Sequence, residues 1–395
     1  ISLCVKNELV GANMKIRRML VEQLNQRITA EIFFNDSLNI ITGSNGSGKT
    51  TFLKACWYLY SGNIGNALRE ITFRRMEIET DQLTLTVTCS DPASNDPEFS
   101  ISLKIHVKLK FENEDLLKAA KEPLIGTWDQ IKEYLWRYRF LIALNHESLF
   151  FPTFRRVEGG FLLDNKNERT VRTKRTGLAG DVDNDDELTR ALRATSNALT
   201  EFDNKFVCSM STTDVERLVS ETKAKMDSMQ KEEYEVLAEA ISKDIRQWKI
   251  SGEADDTGAE YLRGILKNVT NVEMTRDRIV EPMRKLNSEL SQYFPNRLIK
   301  INELKLGDGK ESIEAASLSA GEKQLLSFLC YAAFYDNYVF MVDEPELSLH
   351  LDWQRKLISS LTSLGESHQY FFVTHSPAIY TKFADYEISF DKYLT

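Results

Sequence analysis

The sequence predicts an α/β fold with a mixed or parallel core sheet, an antiparallel β-subdomain and a helical insertion. Three observations predict it. Short, nearly continuous apolar runs at 38–42, 338–342 and 370–373 alternate with helical stretches, the pattern of parallel strands covered on both faces. Runs such as 83–89 instead alternate apolar and polar residues, as antiparallel strands with one wet face do. Between these parts, apolar residues recur at three- and four-residue steps, the mark of one-sided helices.

Taken in order, residues 15–24 and 27–34 are β-rich runs joined by a polar turn at Asn25-Gln26. Asp36-Ser37 breaks the chain before the apolar run 38–42, and a glycine-rich loop follows. From Thr51 to Leu59 the pattern is helical. A second strand pair, 83–89 and 99–109, flanks the turn-rich Asp91-Pro92 and Asp96-Pro97. Residues 162–186 are polar, first basic and then acidic, and read as a mobile surface loop. Leu188, Leu192, Thr195, Leu199, Phe202 and Phe206 then open a helical segment, continued by Val219, Thr222, Met226 and Met229 and by Ile279, Met283, Leu286, Leu290 and Tyr293. Gly252 and Gly258 are expected to break this segment midway, and Pro282 to kink or start its last helix. Its helices are expected to be far shorter than an extended coiled-coil arm requires. The last third predicts a helix over 320–336, a strand over 338–342, a helix over 352–364 and a strand over 370–373.

Composition bounds the function classes. Of 395 residues, 42% are apolar and 28% charged, the balance of a folded protein. Fifty basic against 59 acidic residues leave a net charge of −9, which argues against a surface coated for non-specific nucleic-acid binding while leaving room for a local basic patch. Five scattered cysteines without CxxC spacing fit free thiols in a reducing compartment, hence a cytoplasmic location. The most apolar stretch, 325–342, is interrupted by Ser327, Asp336 and Asn337, so no membrane association is expected. The chain opens at Ile1 with no visible secretory leader.

Four motifs carry chemistry. Gly43-Ser44-Asn45-Gly46-Ser47-Gly48-Lys49-Thr50 satisfies GxxxxGK[ST] between a strand and a helix, where glycines let backbone N–H groups turn inward around phosphates. Lys49 is expected to reach the β/γ-phosphates of ATP and Thr50 to ligate Mg²⁺, with Thr51 completing the cradle. The apolar run ending in Asp343-Glu344 places Asp343 where it can hold Mg²⁺ through water, and Glu344 where it can orient or deprotonate the attacking water. Ser317-Leu318-Ser319-Ala320-Gly321-Glu322 is either an anion-binding helix start or a capping box, and both roles can coexist. His375 follows the buried run 370–373 at the same sheet edge, a candidate neighbour of the γ-phosphate.

These four elements in this order resemble the ATP-binding-cassette (ABC) class of P-loop ATPases, which includes the SMC, RecF and OLD groups. The resemblance covers the chain as a split ATPase head, 1–185 and 295–395, with a helical insertion over 186–294. It implies two subunits sandwiching two ATPs, with Ser319, Ala320 and Gly321 acting in trans and Glu344 as the catalytic base, together with His375 and Lys49. His350 and Asp352 fall where the class keeps a dimer-facing loop; they are either cross-subunit contacts or plain helix-start residues. One departure stands out: no equivalent is found of the glutamine that senses Mg²⁺ and water in this class.

The best local candidate for that role is the segment Asn145-His146-Glu147 through Phe151 to Glu158, within which the run Pro152-Thr153-Phe154-Arg155-Arg156-Val157-Glu158 resembles one in stand-alone bacterial defence ATPases, such as those of PARIS and Septu. Arg155 and Arg156 there either pair with phosphate or salt-bridge Glu158. The resemblance implies an ATPase subunit, dimeric or larger, that senses a phage protein or DNA and controls a separate effector, expected to be a nuclease. The alternative is a RecF-like DNA-repair or DNA-clamping ATPase, for which Arg169, Arg172, Lys174 and Arg175 form the one dense basic cluster; a scaffold held together by ATP is a third reading.

Overall fold

The Asn25-Gln26 turn, with φ of 50° and 61°, folds β1 (Ile16–Leu24) back on β2 (Ile28–Phe33). The structure is a computed structural model and describes residues 15–94, 96–106, 122–143, 146–153, 187–208, 212–251, 255–301, 304–307, 310–314 and 317–393. β3 (Leu38–Thr42) is buried along its whole length and runs through the glycine-rich loop into α1 (Lys49–Tyr60), followed by α2 (Ile64–Glu70). Four strands then build out from β1: β4 (Arg75–Thr80), β5 (Leu83–Cys89), β6 (Glu98–Ile105) and β7 (Leu124–Thr127). They form an antiparallel sheet in the order β2-β1-β4-β5-β6-β7. The alternation read in 83–89 is the alternation of buried and half-buried residues in β5.

Next come α3 (Trp136–Ala143), β8 (Ser148–Phe151), α4 (Glu187–Leu199) and β9 (Asn204–Phe206). Two long helices follow, α5 (Thr212–Ser251) and α6 (Asp255–Tyr293), then β10 (Arg297–Ile301), β11 (Leu304–Leu306), β12 (Glu311–Glu314) and α7 (Ala320–Phe334). The chain ends its α/β part with β13 (Val339–Asp343), α8 (Leu351–Leu364), β14 (Gln369–Val373) and β15 (Glu387–Ser389). The second sheet runs β15-β3-β14-β13-β8-β9, and every pairing in it is parallel.

The chain divides into two compact units, Ile1–Ser211 with Tyr335–Thr395, and Thr212–Phe334. In the first, one core joins Met19, Ile78 and Val87 of the antiparallel sheet to Phe52 and Trp57 of α1 and to Met341 and Phe371 of the parallel sheet. Because α1 packs on strands of both sheets, it is apolar on most of its circumference. Trp57 Nε1 donates to Ser148 Oγ at 3.1 Å, and Ser148 Oγ donates to Asn204 Oδ1 at 2.7 Å, tying α1 to β8 and β9. The described cysteines, Cys56, Cys89, Cys208 and Cys330, are buried free thiols. No helix among the described residues is long and apolar enough to cross a membrane.

The helical segment expected to start at 186 divides instead at 212. Leu192, Leu199, Phe206 and Cys208 lie in the core of the first unit, and β9 pairs with β8. The expected break near Gly252 falls between two helices, α5 of 40 residues and α6 of 39. Each is about 60 Å long at 1.5 Å per residue. Gly258 and Pro282 both lie inside α6. One glycine costs a helix only about 1 kcal/mol and one proline about 3, and the two helices pack along each other. Their buried residues among those described are Val215 and Val219 at the start of α5 and Leu286, Leu290 and Tyr293 at the end of α6. Over most of both helices there is therefore no broad apolar stripe for periodicity to reveal. In this second unit α7 packs on both long helices, and β10 sits between β11 and β12.

Candidate active site

Where β3 ends, the chain turns through Gly43, Gly46 and Gly48, all at positive φ (149°, 77° and 92°), and enters α1. At Gly48 the requirement for glycine is double: the backbone is left-handed, and a Cβ would lie 2.3 Å from Ile28 Cδ1. Ser44, Asn45 and Gly46 are exposed at the crest of the loop, while Ser47 and Lys49 are buried. Lys49 Nζ donates to Gly43 O (3.0 Å), Ser44 O (2.8 Å) and Ser47 Oγ (3.3 Å). Burial lowers its pKa, and the nearby carboxylates, Glu344 foremost, pull the other way. Thr51 Oγ1 accepts from Asn25 Nδ2 at 3.4 Å, so its hydroxyl faces the β1–β2 turn.

Asp343 closes β13 and is fully buried. Thr50 Oγ1 donates to its Oδ1 at 3.2 Å, and Thr153 Oγ1 donates to its Oδ2. The next residue, Glu344, adopts φ 50° and donates its N–H to Val373 O at 2.8 Å, which turns its side chain along the sheet edge. His375 Nε2 lies 3.0 Å from Glu344 Oε1. Burial, then the charge of Glu346 and a hydrogen bond with it, push the Glu344 carboxyl up to about 8, with Asp343 adding and Lys49 opposing. The structure thus brings Lys49, Thr50, Asp343, Glu344 and His375 to the C-terminal edge of one parallel sheet, where ligands of such sheets bind.

Ser319 and its neighbours belong to the second unit. Ser319 N–H donates to Glu322 Oε2 at 2.8 Å, and Glu322 N–H donates to Ser319 Oγ at 3.4 Å, a reciprocal capping box opening α7 at Ala320 and Gly321. Arg297 steadies Glu322 at 3.2 Å. Leu318 is buried and Ser319 exposed. His350 is the N-cap of α8, its Nδ1 accepting from Asp352 N–H at 3.4 Å, so the helix-start reading describes it. Asn145, Arg155, Arg156, Glu158, the 162–186 loop and the basic cluster Arg169, Arg172, Lys174 and Arg175 lie outside the described residues.

Three site residues escaped the reading of the sequence as contacts. Thr153 follows the four-residue β8, whose three apolar residues are too few to mark a strand beside β13. Glu346 stands among three other turn and acidic residues that explain themselves without it. Asp391 accepts from Ser44 N–H (2.9 and 3.0 Å) and Ser44 Oγ (2.7 Å), and no sequence signal links positions 347 apart. These bonds hold the Asp391 carboxyl below its usual range, with Lys49 and His375 adding.

The donor set fits a hard divalent cation such as Mg²⁺. A buried carboxylate flanked by two threonine hydroxyls offers oxygen alone. So small a donor set would leave most ligands of a bound Mg²⁺ to phosphate and water.

The AAA ATPase domain family (AAA_15) matches residues 14–380. The chain belongs to this family. It carries the P-loop of an ATPase, and it binds nucleotide and hydrolyses ATP. The ATPase is 25% identical to the "Retron Vc95 probable ATPase" of Vibrio cholerae serotype O1 biovar El Tor, over 93% of this chain and 72% of that protein. It is 34% identical to the DNA replication and repair protein RecF of Psychromonas ingrahamii over 73 residues, 18% of this chain and 20% of that one. Among solved structures it is similar to an Smc head domain with an extended coiled coil, bound to the C-terminal domain of ScpA, from Pyrococcus furiosus. The match has 13% identity and a TM-score of 0.41, over 93% of this chain and 91% of that one.

Proposed function

We propose that this ATPase is the sensor and regulatory subunit of a bacterial anti-phage defence complex. Two copies clasp Mg²⁺·ATP between the Lys49 loop of one and the Ser319 loop of the other, and hydrolysis controls a separate effector, a nuclease, in response to a phage protein or DNA. The observation that carries the hydrolytic reading is the His375–Glu344–Asp343–Thr50 row beside Lys49 at one sheet edge. In this reading Thr50 and Asp343 hold Mg²⁺, which would neutralise phosphate charge when bound. Lys49 leaves the carbonyls of Gly43 and Ser44 for the phosphates. Glu344 takes the proton of the attacking water, and His375 orients Glu344 and senses the γ-phosphate.

The defence reading is supported by similarity along 93% of the chain to an ATPase named for a retron, and by the resemblance of the 152–158 run to stand-alone defence ATPases. The two long helices of the second unit offer a surface for an effector. The RecF-like reading is favoured by the local RecF match alone.

Glu344→Gln tests the hydrolytic core. The variant should lose turnover while ATP-held dimers persist on a sizing column. Retained turnover removes Glu344 as the base. Purification of the complex from its native operon tests the defence reading: a co-eluting nuclease subunit supports it, whereas salt-sensitive DNA binding without any such partner supports the repair reading.

A further inference from the structure

Beside the site, two turns of the first unit are stitched together by side chains that the hydrolytic reading does not use. Oε1 of Glu346 accepts three hydrogen bonds from the turn that leaves β14: Thr374 Oγ1 at 2.7 Å, His375 N–H at 2.9 Å and Ser376 N–H at 3.0 Å. Gln354, in the first turns of α8, fastens the same turn from another side, its Oε1 accepting from Ser376 Oγ at 2.7 Å. Its Nε2 donates to Leu349 O at 2.9 Å and to Glu346 O at 3.4 Å. Ser376 N–H also donates to Thr374 Oγ1 at 3.0 Å, closing the turn on itself.

The His375 side chain is 35% exposed and its Nε2 meets Glu344. Its aim at Glu344 is set by the backbone it hangs from. Two consecutive N–H groups and a hydroxyl converge on one carboxyl oxygen, which fixes the turn at three points. Without Glu346, the His375 and Ser376 N–H groups would turn toward water and the ring would move with them. We propose that Glu346 and Gln354 are positioning residues for His375. They clamp the 374–376 turn so that Nε2 stays against Glu344, and they join that turn to the 346–350 loop, so the two move as one piece. The inference rests on the reading that His375 and Glu344 serve hydrolysis.

Steady-state hydrolysis by the full chain at saturating Mg²⁺ tests it, with Glu344→Gln, His375→Ala, Glu346→Ala, Glu346→Gln and the Glu346→Ala/His375→Ala double variant. Binding of a fluorescent ATP analogue is measured alongside. Glu346→Ala should lower kcat about 10- to 100-fold, the range for supporting residues of catalytic ligands, and shift the ATP KM by less than about twofold. In the His375→Ala background the same change should cost less than about a further twofold, because residues acting as a unit are not additive. Glu346→Gln keeps the shape and one acceptor oxygen and should fall between wild type and Glu346→Ala. Should Glu346→Ala fail to fold, the cycle built on Glu346→Gln decides by the same non-additivity.

Full additivity with His375→Ala, or a kcat for Glu346→Ala equal to wild type, overturns the positioning role while the hydrolytic reading stands. If His375→Ala and Glu344→Gln leave kcat intact, the hydrolytic reading falls, and the positioning role falls with it.

Discussion

Thr153 gives its hydroxyl proton to the Oδ2 oxygen of Asp343, while Thr50 occupies Oδ1. The carboxylate at the end of β13 is thereby held from two directions, by the loop after β3 and by the segment after β8, its parallel neighbour. If Asp343 holds Mg²⁺ as proposed, a carboxylate fixed in this way would lose little freedom on binding it.

Thr153→Val removes one of these holds without changing volume. The Mg²⁺ concentration needed for half-maximal hydrolysis should rise about tenfold, the lower end of the range for outer-shell ligand supports. Thr153→Ser should restore it. A metal titration of hydrolysis at fixed ATP reads the difference.

The trans arrangement is tested by mixing. Lys49→Ala removes the phosphate-facing ammonium, and Ser319→Arg fills the exposed start of α7 with bulk. Neither variant alone should hydrolyse ATP. A mixture contains heterodimers in which an intact Lys49 loop meets an intact Ser319 loop, so turnover should reappear at up to about a quarter of the wild-type rate per subunit if the sites work independently. A mixture as silent as its parts would show that each subunit relies on its own Ser319.

Gly48→Ala places a Cβ on a left-handed backbone, 2.3 Å from Ile28 Cδ1. The backbone term alone costs about 1–2 kcal/mol. Urea unfolding should show at least that loss. Ile28→Val deletes the clashing methyl, so in the double variant part of the loss should return even though Ile28→Val alone destabilises.

His146 gives the acid limb of stability. Its ring is buried, stacked on Tyr60 with centroids 4.2 Å apart, and its Nδ1 lies 2.6 Å from Tyr60 O. Burial lowers its pKa to about 4, and the hydrogen bond to Tyr60 only partly offsets this. The native state thus excludes a proton that the unfolded chain takes up near pH 6.5. The neutral ring's contribution is complete above about pH 6.5 and is lost as pH falls from there toward about 4, at most about 3 kcal/mol in all. His146→Phe keeps the stack but cannot be protonated. Its stability at pH 7 should be lower, because Tyr60 O loses a donor, and its decline between pH 6.5 and 4 should be shallower by up to one proton.

The part of the fold that follows from local pattern was legible. The apolar runs of β3, β13 and β14, the alternation in β5 and the Asn25-Gln26 turn each declare themselves within a few residues. β4 and β8 did not, because β4 carries Arg75, Glu77 and Glu79 in a polar network with Arg18, and β8 has only four residues. The lengths of α5 and α6 were not legible for a related reason: helical periodicity reports burial, and among the described side chains α5 buries only Val215 and Val219 and α6 only Leu286, Leu290 and Tyr293. Lys49, Thr50, Asp343, Glu344 and His375, each marked by its own motif, lie together at one sheet edge. Thr153, Glu346 and Asp391 act through contacts across tens to hundreds of positions, and no short motif encodes such a contact.

The placement of β3 has a consequence for the order of biosynthesis. Its two sheet neighbours are β14 and β15, and the carboxylate seated on Ser44 belongs to Asp391. When a ribosome has made the Lys49 loop, both sheet neighbours of β3 and the Asp391 carboxylate still lie more than three hundred codons downstream. Until they emerge, β3 has two open edges, the kind of exposed strand that chaperones shield in a nascent chain. A product that stops before residue 387 would lack both β15 on one edge of β3 and the Asp391 carboxylate that holds Ser44.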